Sequence, residues 1–529
     1  MTVLHNPVVR GFAPDPSLVR VGDWYYVATS SFEWFPTIPI HRSRDLADWQ
    51  YAGHVRGAVP GDSLAGVPDS GGIWAPSLSW DGARFWVVYS VVRSVGTPYF
   101  DTDTYISTAD EVNGRWTPPR RVASHGFDPA LFHHEGRLWL LNLQNDHRPG
   151  GRRFAGIVMT ELDRETLSPV GGTHLLLQHE RLIEGPKLLW REGWYHLVLA
   201  EGGTGFEHGV RVARSRELTG PYELDDRPLL TSRDDPSLPL QKAGHGELVR
   251  TPGGDWVLSH LTARPVRTPD GPRCTLGRET AIQAVVWDEE GRPRLRHGGS
   301  HPAVEVDVPT RPEPLPPQPA AADDPLGWPW SSLRADPDPS WADVTSRPGR
   351  IRLRGRHGPE SRWAHSLLAQ RITEHRAEAE VTVEARPDTF TQAAGLVLRY
   401  NAEAYLSLDL TWTEPGSEGQ HGQQWRGAGR TVLRLVERDE ADTRTVAVVD
   451  VDAEAPVTLG VTVDGAEARF WYVRDGVRTP VGEPLDFGKL SDDHGSKLRF
   501  TGSMAGIHAV DLVDAAFTAD FSGFRLVCR

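Results

Sequence analysis

Acidic residues recur at matched places in this sequence. Asp15 and Asp128 each precede a proline that is followed two positions later by leucine, and Glu184 precedes the corresponding Gly185-Pro186 pair by one residue. Cleavage of a glycosidic bond needs one carboxylic acid that protonates the departing oxygen and one carboxylate that acts at the anomeric centre. A third carboxylate nearby can raise the pKa of the acid that has to stay protonated.

Ordinary turn formation is the competing explanation for these acids. An Asp-Pro pair is common in turns, and a residue before proline favours an extended or turn backbone. For one copy alone, the turn would be a sufficient explanation. Three acids at matched positions, with Trp74 beside the second copy and His245 in the fifth, favour a site instead.

The acids lie in a unit that occurs five times before residue 265. Each unit has a short apolar strand, a turn with glycine and an aromatic-rich strand, and its first residues are Asp15, Ala75, Asp128, Gly185 and His245. The turn glycines at 22, 82, 136, 193 and 254 are 60, 54, 57 and 61 residues apart. This period fits four antiparallel strands, so we predict a five-bladed β-propeller whose innermost strands converge on a central channel. The alternative is a β-sandwich with coincidental spacing.

A second domain is expected after the repeats end. Six prolines between positions 309 and 319 predict a stiff extended linker. Beyond it, segments 379–383, 395–400, 405–410 and 457–463 show the period-two alternation of an antiparallel β-sandwich. The predicted boundaries are 1–308 for the propeller, 309–324 for the linker and 325–529 for the sandwich.

Composition narrows the class of protein. The 529 residues are 39% hydrophobic and 24% charged, with no apolar run long enough for a bilayer, so we expect no membrane association. The net charge of −14 argues against nucleic acid as a partner. The start of the sequence lacks a secretion signal, and Cys274 and Cys528 are the only cysteines, so we expect a cytoplasmic protein without disulfides.

Several motifs together resemble glycoside hydrolase family 43, specifically its β-xylosidase branch. They are residues 6–17 (NPVVRGFAPDPS), 31–36 (SFEWFP), 71–76 (GGIWAP), 127–129 (FDP), 184–186 (EGP), 201–205 (EGGTG) and 277–280 (GRET). Each motif is weak alone, but their order along both domains is specific. The resemblance implies an all-β fold, a five-bladed β-propeller followed by a concanavalin-like antiparallel β-sandwich.

The resemblance also implies roles for particular residues. Asp15 would be the general base on water, Glu184 the general acid, and Asp128 would tune and orient Glu184. In such an inverting enzyme the carboxyl groups of Asp15 and Glu184 should lie about 6.5 to 9.5 Å apart. The implied substrate-binding residues are Phe32, Trp74, Ala75, Phe127, Thr204, Arg278 and Met504.

Other implied features concern the channel and the entrance of the pocket. The family resemblance implies that His245 faces a hydrated divalent cation, usually calcium; a hydrogen-bonded histidine without metal is the alternative. The neighbours His133 and His134 should point to opposite faces of a strand and are interpreted as solvated. Lys187 stands where relatives often have His, and Ala13 where they often have Asn. In residues 500–506 (FTGSMAG), Met504 takes the place of an aromatic lid residue from the second domain.

The expected activity is exo-acting hydrolysis of short β-1,4-linked xylo-oligosaccharides from the non-reducing end, with no organic cofactor. One alternative is an α-L-arabinofuranosidase or an enzyme with both activities. Another is a non-catalytic carbohydrate-binding propeller. The resemblance further implies a homo-oligomer, a dimer or a tetramer.

Overall fold

Strands make up almost all regular secondary structure of the described residues. The computed structural model describes residues 2–94, 97, 99–310, 313–316, 324–414, 429–452, 455–497 and 499–529. Within these ranges the helical elements are two single 3-10 turns, Pro60–Asp62 and Phe487–Lys489. The described part of the chain contains no helix with the length and apolar character needed to cross a bilayer. The predicted all-β class is confirmed.

The chain forms two compact units that are interleaved in sequence. The first comprises Met1–Asp62, Ser70–Arg264 and Arg278–Pro319, and the second comprises Ser63–Asp69, Pro265–Gly277 and Ala320–Arg529. The linear boundaries at 308 and 325 stay a prediction, and these units depart from them in two short segments. The linker falls partly on residues 311–312 and 317–323, which lie outside the described residues.

The first unit is a five-bladed β-propeller. Blades one to three consist of strands Ser17–Val21, Trp24–Ala28, Pro39–Ser43 and Gln50–His54; Gly72–Trp80, Phe85–Val92, Thr102–Ala109 and Arg120–Ala123; Gly126–His134, Arg137–Gln144, Gly156–Leu162 and Pro169–Leu177. Blades four and five consist of Ile183–Arg191, Trp194–Glu201, Gly209–Ser215, Glu223–Leu224 and Leu230–Thr231; Gln241–Arg250, Trp256–Ala263, Glu279–Trp287 and Pro293–Leu295. The innermost strands contact one another in a closed ring, since blade five contacts blade one.

The glycine turns between the first two strands of each blade confirm the repeat. All five glycines have positive φ, from 60° at Gly22 to 100° at Gly82. A side chain at such a position is strained, so glycine suits these tight turns. The unit is also tied at its ends, because Thr2–His5 pairs antiparallel with Glu305–Val308. The short strand Trp34–Phe35 lies between the second and third strands of blade one.

The second unit is a sandwich of two antiparallel sheets. One sheet has the order Ala342–Asp343, Ile351–Arg354, Thr518–Cys528, Arg376–Ala385, Val457–Asp464, Glu467–Arg474 and Val477–Pro480, with Leu485–Asp486 also pairing with Glu467–Arg474. The other has the order Ser366–Arg371, Met504–Asp511, Gln392–Asn401, Ala404–Thr413, Arg430–Asp439 and Asp442–Asp450. Short strands Val266–Thr268 and Gly271–Arg273 form a hairpin, and Ser332–Leu333 is a further short strand.

Alternation along the strands builds the core of the sandwich. Leu396 and Leu398 of one sheet and Val381 and Val383 of the other belong to one buried apolar cluster. The residues between them on each strand point to the opposite face, as the period of two requires. The four strands predicted from this alternation are all present.

Candidate active site

The first residues of the five repeats share an uncommon backbone conformation. Each has a positive φ: Asp15 (53°), Ala75 (38°), Asp128 (52°), Gly185 (55°) and His245 (49°). In blades two to five the register with the neighbouring strand also shifts beside this residue, which marks a β-bulge. Left-handed backbone is costly for residues with a Cβ, so its recurrence indicates a position held in place by the surrounding sheet.

The bulges bring side chains from separate blades together. A residue before proline favours an extended or turn backbone, whereas Asp15 and Asp128 are left-handed and leave the regular strand path. The imidazole Nδ1 of His245 lies 3.8 Å from Asp15 Oδ1 and 4.0 Å from Asp128 Oδ2. Residues of blades one, three and five therefore meet at one end of the channel, as the repeat predicted.

Asp15 is a buried carboxylate with strong partners. Its Oδ2 accepts a hydrogen bond from Ser30 Oγ at 2.6 Å, and its Oδ1 accepts one from Arg278 Nη1 at 3.0 Å. Burial pushes the pKa of Asp15 up, but Arg278, His245 and the Ser30 hydroxyl outweigh it, and the net pKa is lowered. Asp15 is therefore ionised at neutral pH and can accept a proton.

Glu184 and Asp128 have the opposite tendency. Burial, together with the charge of Asp15, raises the pKa of Glu184 to about 7, although Arg278 partly opposes this. Burial, Glu184 and Asp15 raise the pKa of Asp128 well above its usual range. The two groups interact and titrate as a pair. Near neutral pH this pair retains a proton that a departing oxygen can take.

Asp128 also holds the backbone beside Glu184. Its Oδ2 accepts a hydrogen bond from the Gly185 amide at 3.1 Å, and this amide belongs to the peptide that follows Glu184. The contact fixes the bulge from which the Glu184 side chain projects. Asp128 thus fixes the backbone beside Glu184, while the charge of Glu184 raises the pKa of Asp128.

Arg278 connects Asp15 to the loop that carries Thr204. One guanidinium nitrogen, Nη1, donates both to Asp15 Oδ1 and, at 2.6 Å, to Thr204 Oγ1. The guanidinium carbon also lies 5.8 Å from the centroid of the Phe32 ring. Arg278 is 2% exposed, so its charge acts on Asp15 with little screening by water.

Aromatic rings form an apolar wall beside the acids. Centroid separations are 6.1 Å for Phe32 and Trp74 and 5.7 Å for Trp74 and Phe127. Phe100 lies 5.7 Å from Trp74 and 5.5 Å from Phe127, so it extends the same wall. Phe154 packs edge-on to Phe127 and is 36% exposed, which places it at the outer limit of the group. Such faces suit the apolar side of a sugar ring.

Ala75 and Met504, two of the predicted substrate-binding residues, are not part of the aromatic wall. Ala75 acts through its backbone, because its amide donates to Ser30 Oγ at 2.8 Å and so helps to fix the hydroxyl that contacts Asp15. Met504 lies in the second unit, at the start of strand Met504–Asp511, in register with Arg371 and Arg399. The lid role of Met504 stays a prediction.

His245 does not have the surroundings of a calcium ligand. Burial lowers the pKa of this imidazole to about 4, so it is neutral at pH 7. Calcium takes six to eight oxygen ligands, but Asp15, one of the two nearest carboxylates, is already bound to Arg278. Among the described residues no group of three or more His, Cys, Asp or Glu side chains could hold a metal ion. By themselves these side chains do not supply a calcium shell, and the hydrated divalent cation expected at His245 stays a prediction.

Three residues of this region were not identified from the sequence. They are Ser30, Phe100 and His208, whose imidazole is buried and has a pKa lowered by burial to about 3. His208 contacts the Glu201 carbonyl through Nδ1 at 3.1 Å and lies near enough to Asp15 to lower its pKa. None of the three occupies a repeat position, so the repeat could not have indicated them.

The pair His133 and His134 is not simply solvated, in contrast to the expectation. Nε2 of His133 lies 3.1 Å from Ser79 Oγ of blade two, and Nε2 of His134 lies 3.1 Å from Tyr195 Oη of blade four. Both side chains are half-buried. The predicted opposite orientation is confirmed, and each imidazole links blade three to a different neighbour.

Comparison with known proteins gives full-length similarity. The profile "Glycosyl hydrolases family 43" matches residues 4–293, and "Beta xylosidase C-terminal Concanavalin A-like domain" matches 322–527. The chain is 38% identical to Xylosidase/arabinosidase 43B of Humicola insolens, covering 99% of this chain and 97% of that protein. It is 36% identical to Xylan 1,3-beta-xylosidase of Vibrio sp, covering 99% of each.

A solved structure agrees in fold over the whole length. The crystal structure of xylan beta-1,4-xylosidase from Bacillus halodurans C-125 has a TM-score of 0.92 and 39% sequence identity to this chain, covering 99% of each. A propeller followed by a concanavalin-like sandwich is therefore the fold of this chain, as predicted.

Proposed function

The chain belongs to glycosyl hydrolase family 43 and is a glycoside hydrolase, and from this premise we propose that it is an inverting, exo-acting β-1,4-xylosidase. It would release xylose from the non-reducing end of short xylo-oligosaccharides. Relatives that cover nearly all of the chain carry the names xylosidase or beta-xylosidase, which supports this substrate class.

The opposed protonation of two buried carboxyls carries the proposal. Asp15 has a lowered pKa and is ionised, whereas Glu184 has a pKa of about 7 and retains a proton over much of the neutral range. A general base and a general acid are therefore present together without an external reagent. A carbohydrate-binding propeller has no need for this difference.

The reaction follows from these two states. Asp15 takes a proton from a water molecule while the water oxygen attacks the anomeric carbon. The bond from that carbon to the glycosidic oxygen breaks, and the departing oxygen takes the proton of Glu184. Asp128 holds the peptide beside Glu184 and so orients the acid. The predicted separation of about 6.5 to 9.5 Å between the two carboxyls leaves room for the water.

Recognition of the terminal sugar would use a polar side and an apolar side. Arg278 and Thr204 are joined at 2.6 Å and present donors beside Asp15, which suits neighbouring sugar hydroxyls. Phe32, Trp74 and Phe127 would cover the apolar side of the ring.

Proton NMR of xylobiose hydrolysis tests substrate and stereochemistry together. We expect α-xylose as the first anomer released, before mutarotation, because attack by water on the face opposite the leaving group inverts a β-linkage. Release of β-xylose first would contradict inversion. A Glu184→Gln variant, prepared in parallel, controls for contaminating glycosidases.

An α-L-arabinofuranosidase, or an enzyme with both activities, is the second candidate, favoured by the name of the Humicola insolens relative. Parallel assays on nitrophenyl xyloside and nitrophenyl arabinofuranoside separate the two. We expect faster turnover of the xyloside. A preference for the arabinoside above about tenfold, which is 1.4 kcal/mol in barrier, would reverse the assignment. Because the Vibrio relative is named for a 1,3-linkage, 1,3- and 1,4-xylobiose should be compared as well.

A further inference from the structure

A second ring of residues lies below the acids in the propeller hub. The third residue of each repeat unit comes two positions after the left-handed one, and these residues are Ser17, Ser77, Ala130, Lys187 and Glu247. Four of the five are polar or charged. Lys187 is only 8% exposed, although an ammonium group prefers water.

The Lys187 ammonium joins blades that are distant in sequence. Its Nζ donates to Ser77 Oγ at 2.6 Å and to Ser17 Oγ at 3.2 Å, and it lies 3.5 Å from Glu247 Oε2. Glu247 Oε2 in turn accepts hydrogen bonds from Ser17 Oγ at 2.8 Å and from the Leu18 amide at 3.0 Å. One cation from blade four thus contacts residues of blades one, two and five.

The same cation acts on the catalytic acids of the layer above. Lys187 opposes the rise in the pKa of Asp128 and contributes to the low pKa of His245. Lys187 therefore also acts on blade three, through its electrostatic interaction with Asp128. Burial lowers the pKa of Lys187, while Glu247 and Asp128 oppose this and favour the charged form. Since Asp15, Asp128 and Glu184 are three buried acids, a positive charge here offsets part of their mutual repulsion.

We propose that the Lys187 ammonium is the built-in cation of the hub and that this chain hydrolyses glycosides without a bound divalent metal ion. Lys187 is a positioning residue: it holds the innermost strands of four blades and balances the charge beside Asp128. A divalent cation in the hub would be repelled by this ammonium, and the Asp15 carboxylate, 3.8 Å from His245, is already bound to Arg278. The catalytic part of the proposal rests on the proposed function.

The metal content of the wild-type protein is the first test and needs no substrate. After incubation with 1 mM CaCl2 and desalting, inductively coupled plasma mass spectrometry should find less than about 0.1 calcium per chain, and calcium should not raise the Tm. Because these readouts are independent of activity, failure of the xylosidase assignment would leave them valid. About one calcium per chain, with a raised Tm, would overturn the proposal.

Kinetics of the wild type give the second test. Exhaustive treatment with EDTA should change kcat/KM on the preferred glycoside less than about twofold, and adding back calcium, magnesium or manganese should not raise it. Loss of activity with EDTA that calcium restores would overturn the proposal. No activity on any glycoside in either condition would instead refute the proposed function.

Lys187→Met tests the ammonium itself, because methionine keeps much of the length without the charge. We expect kcat to fall about tenfold or more with KM changed less than about threefold, since the residue acts on the acids and not on the sugar. Propylammonium ions should restore part of kcat in Lys187→Ala, which a purely structural loss would not allow. Lys497→Met, at an exposed lysine of the sandwich, is the matched control and should equal the wild type.

If Lys187→Met keeps wild-type kcat, the proposal fails. If Lys187→Met does not fold, as judged by circular dichroism, the two wild-type tests decide.

Discussion

The propeller hub and the interior of the sandwich are both buried, but the hub gathers acidic side chains, whereas the sandwich interior consists mainly of apolar ones. In the hub, Asp15, Asp128 and Glu184 are each less than 10% exposed, and burial acts on their ionisation. In the sandwich, burial removes apolar side chains such as Leu396 and Leu408 from water and stabilises the fold. The same geometric property therefore serves reactivity in one region and stability in the other.

The backbone of the hub is conformationally strained. Left-handed residues occur at all five repeat positions, each at a cost on the order of 1 kcal/mol or more where the residue is not glycine. The hydrogen-bonded blades around them hold these conformations in place. Substitutions should accordingly affect activity in the hub and stability in the sandwich, and the following changes test that division.

Glu184→Gln should have the largest effect. The amide cannot donate the proton that a departing sugar oxygen needs, so kcat should fall by about a hundredfold to ten-thousandfold. Steady-state kinetics on xylobiose measure the loss. Substrates with a good leaving group, such as dinitrophenyl xyloside, should lose much less activity, because they need little protonation. Equal losses on both substrates would contradict the role of Glu184 as general acid.

Leu408→Ala should show the reverse pattern. Leu408 is fully buried in the apolar cluster of the sandwich, and removing its methine and two methyl carbons should destabilise the protein by about 2 to 5 kcal/mol. The Tm should fall while kcat per folded molecule, with the folded fraction taken from circular dichroism below the transition, stays within about twofold. A large loss of kcat with intact folding would show that the two regions are not separate in function.

Much of the difference between the hub and the sandwich could be predicted from the sequence. Glycine spacing located the five blades, and alternation located the sandwich strands, because both signals are local and periodic. The acids were found because they occupy repeat positions. Two residues further along, the same repeat also aligns Ser17, Ser77, Lys187 and Glu247. Single serines in a strand look ordinary, however, until folding brings their blades together.

Other features required the folded chain. Ser30, His208 and Phe100 come from segments outside the repeat, so only tertiary contacts place them at the site. The left-handed backbone before proline runs against the local preference, because the surrounding sheets override it. The interleaved segments Ser63–Asp69 and Pro265–Gly277 have no compositional signal that assigns them to the second unit.

Glu184→Gln should also raise stability, in contrast to its loss of activity. In the folded protein the pKa of Glu184 is about 7 against an ordinary value of 4.5, so folding is penalised as the pH rises from 4.5 to 7 and remains so above. The penalty is therefore complete above pH 7 and absent below pH 4.5. Calorimetry should show a higher Tm for the variant at pH 8 and little change at pH 5. A lower Tm at pH 8 would contradict the raised pKa.

Asp409→Asn should have the smallest effect. It allows the closest comparison with the acids of the hub, because Asp409 is also a buried carboxyl but lies in the sandwich. Its Oδ1 contacts His508 Nε2 at 2.7 Å, and its Oδ2 accepts from Ser407 Oγ at 2.8 Å. Burial pushes the pKa of Asp409 up, but His508, Arg434 and Ser407 outweigh it, and the net pKa is lowered. Its stabilising effect is therefore present above the ordinary value of 3.8 and is lost as the pH falls through the lowered value.

The amide in Asp409→Asn keeps the shape of the carboxylate but removes the charge that these partners stabilise. We expect a loss of about 1 to 3 kcal/mol at pH 7, seen as a lower Tm, with kcat unchanged. Ser407→Ala, which removes one neutral partner of the same carboxylate, should cost less and serves as the control. Stabilisation by Asp409→Asn would mean that this carboxyl resembles Glu184, and that burial rather than its partners decides the ionisation of acids in both regions.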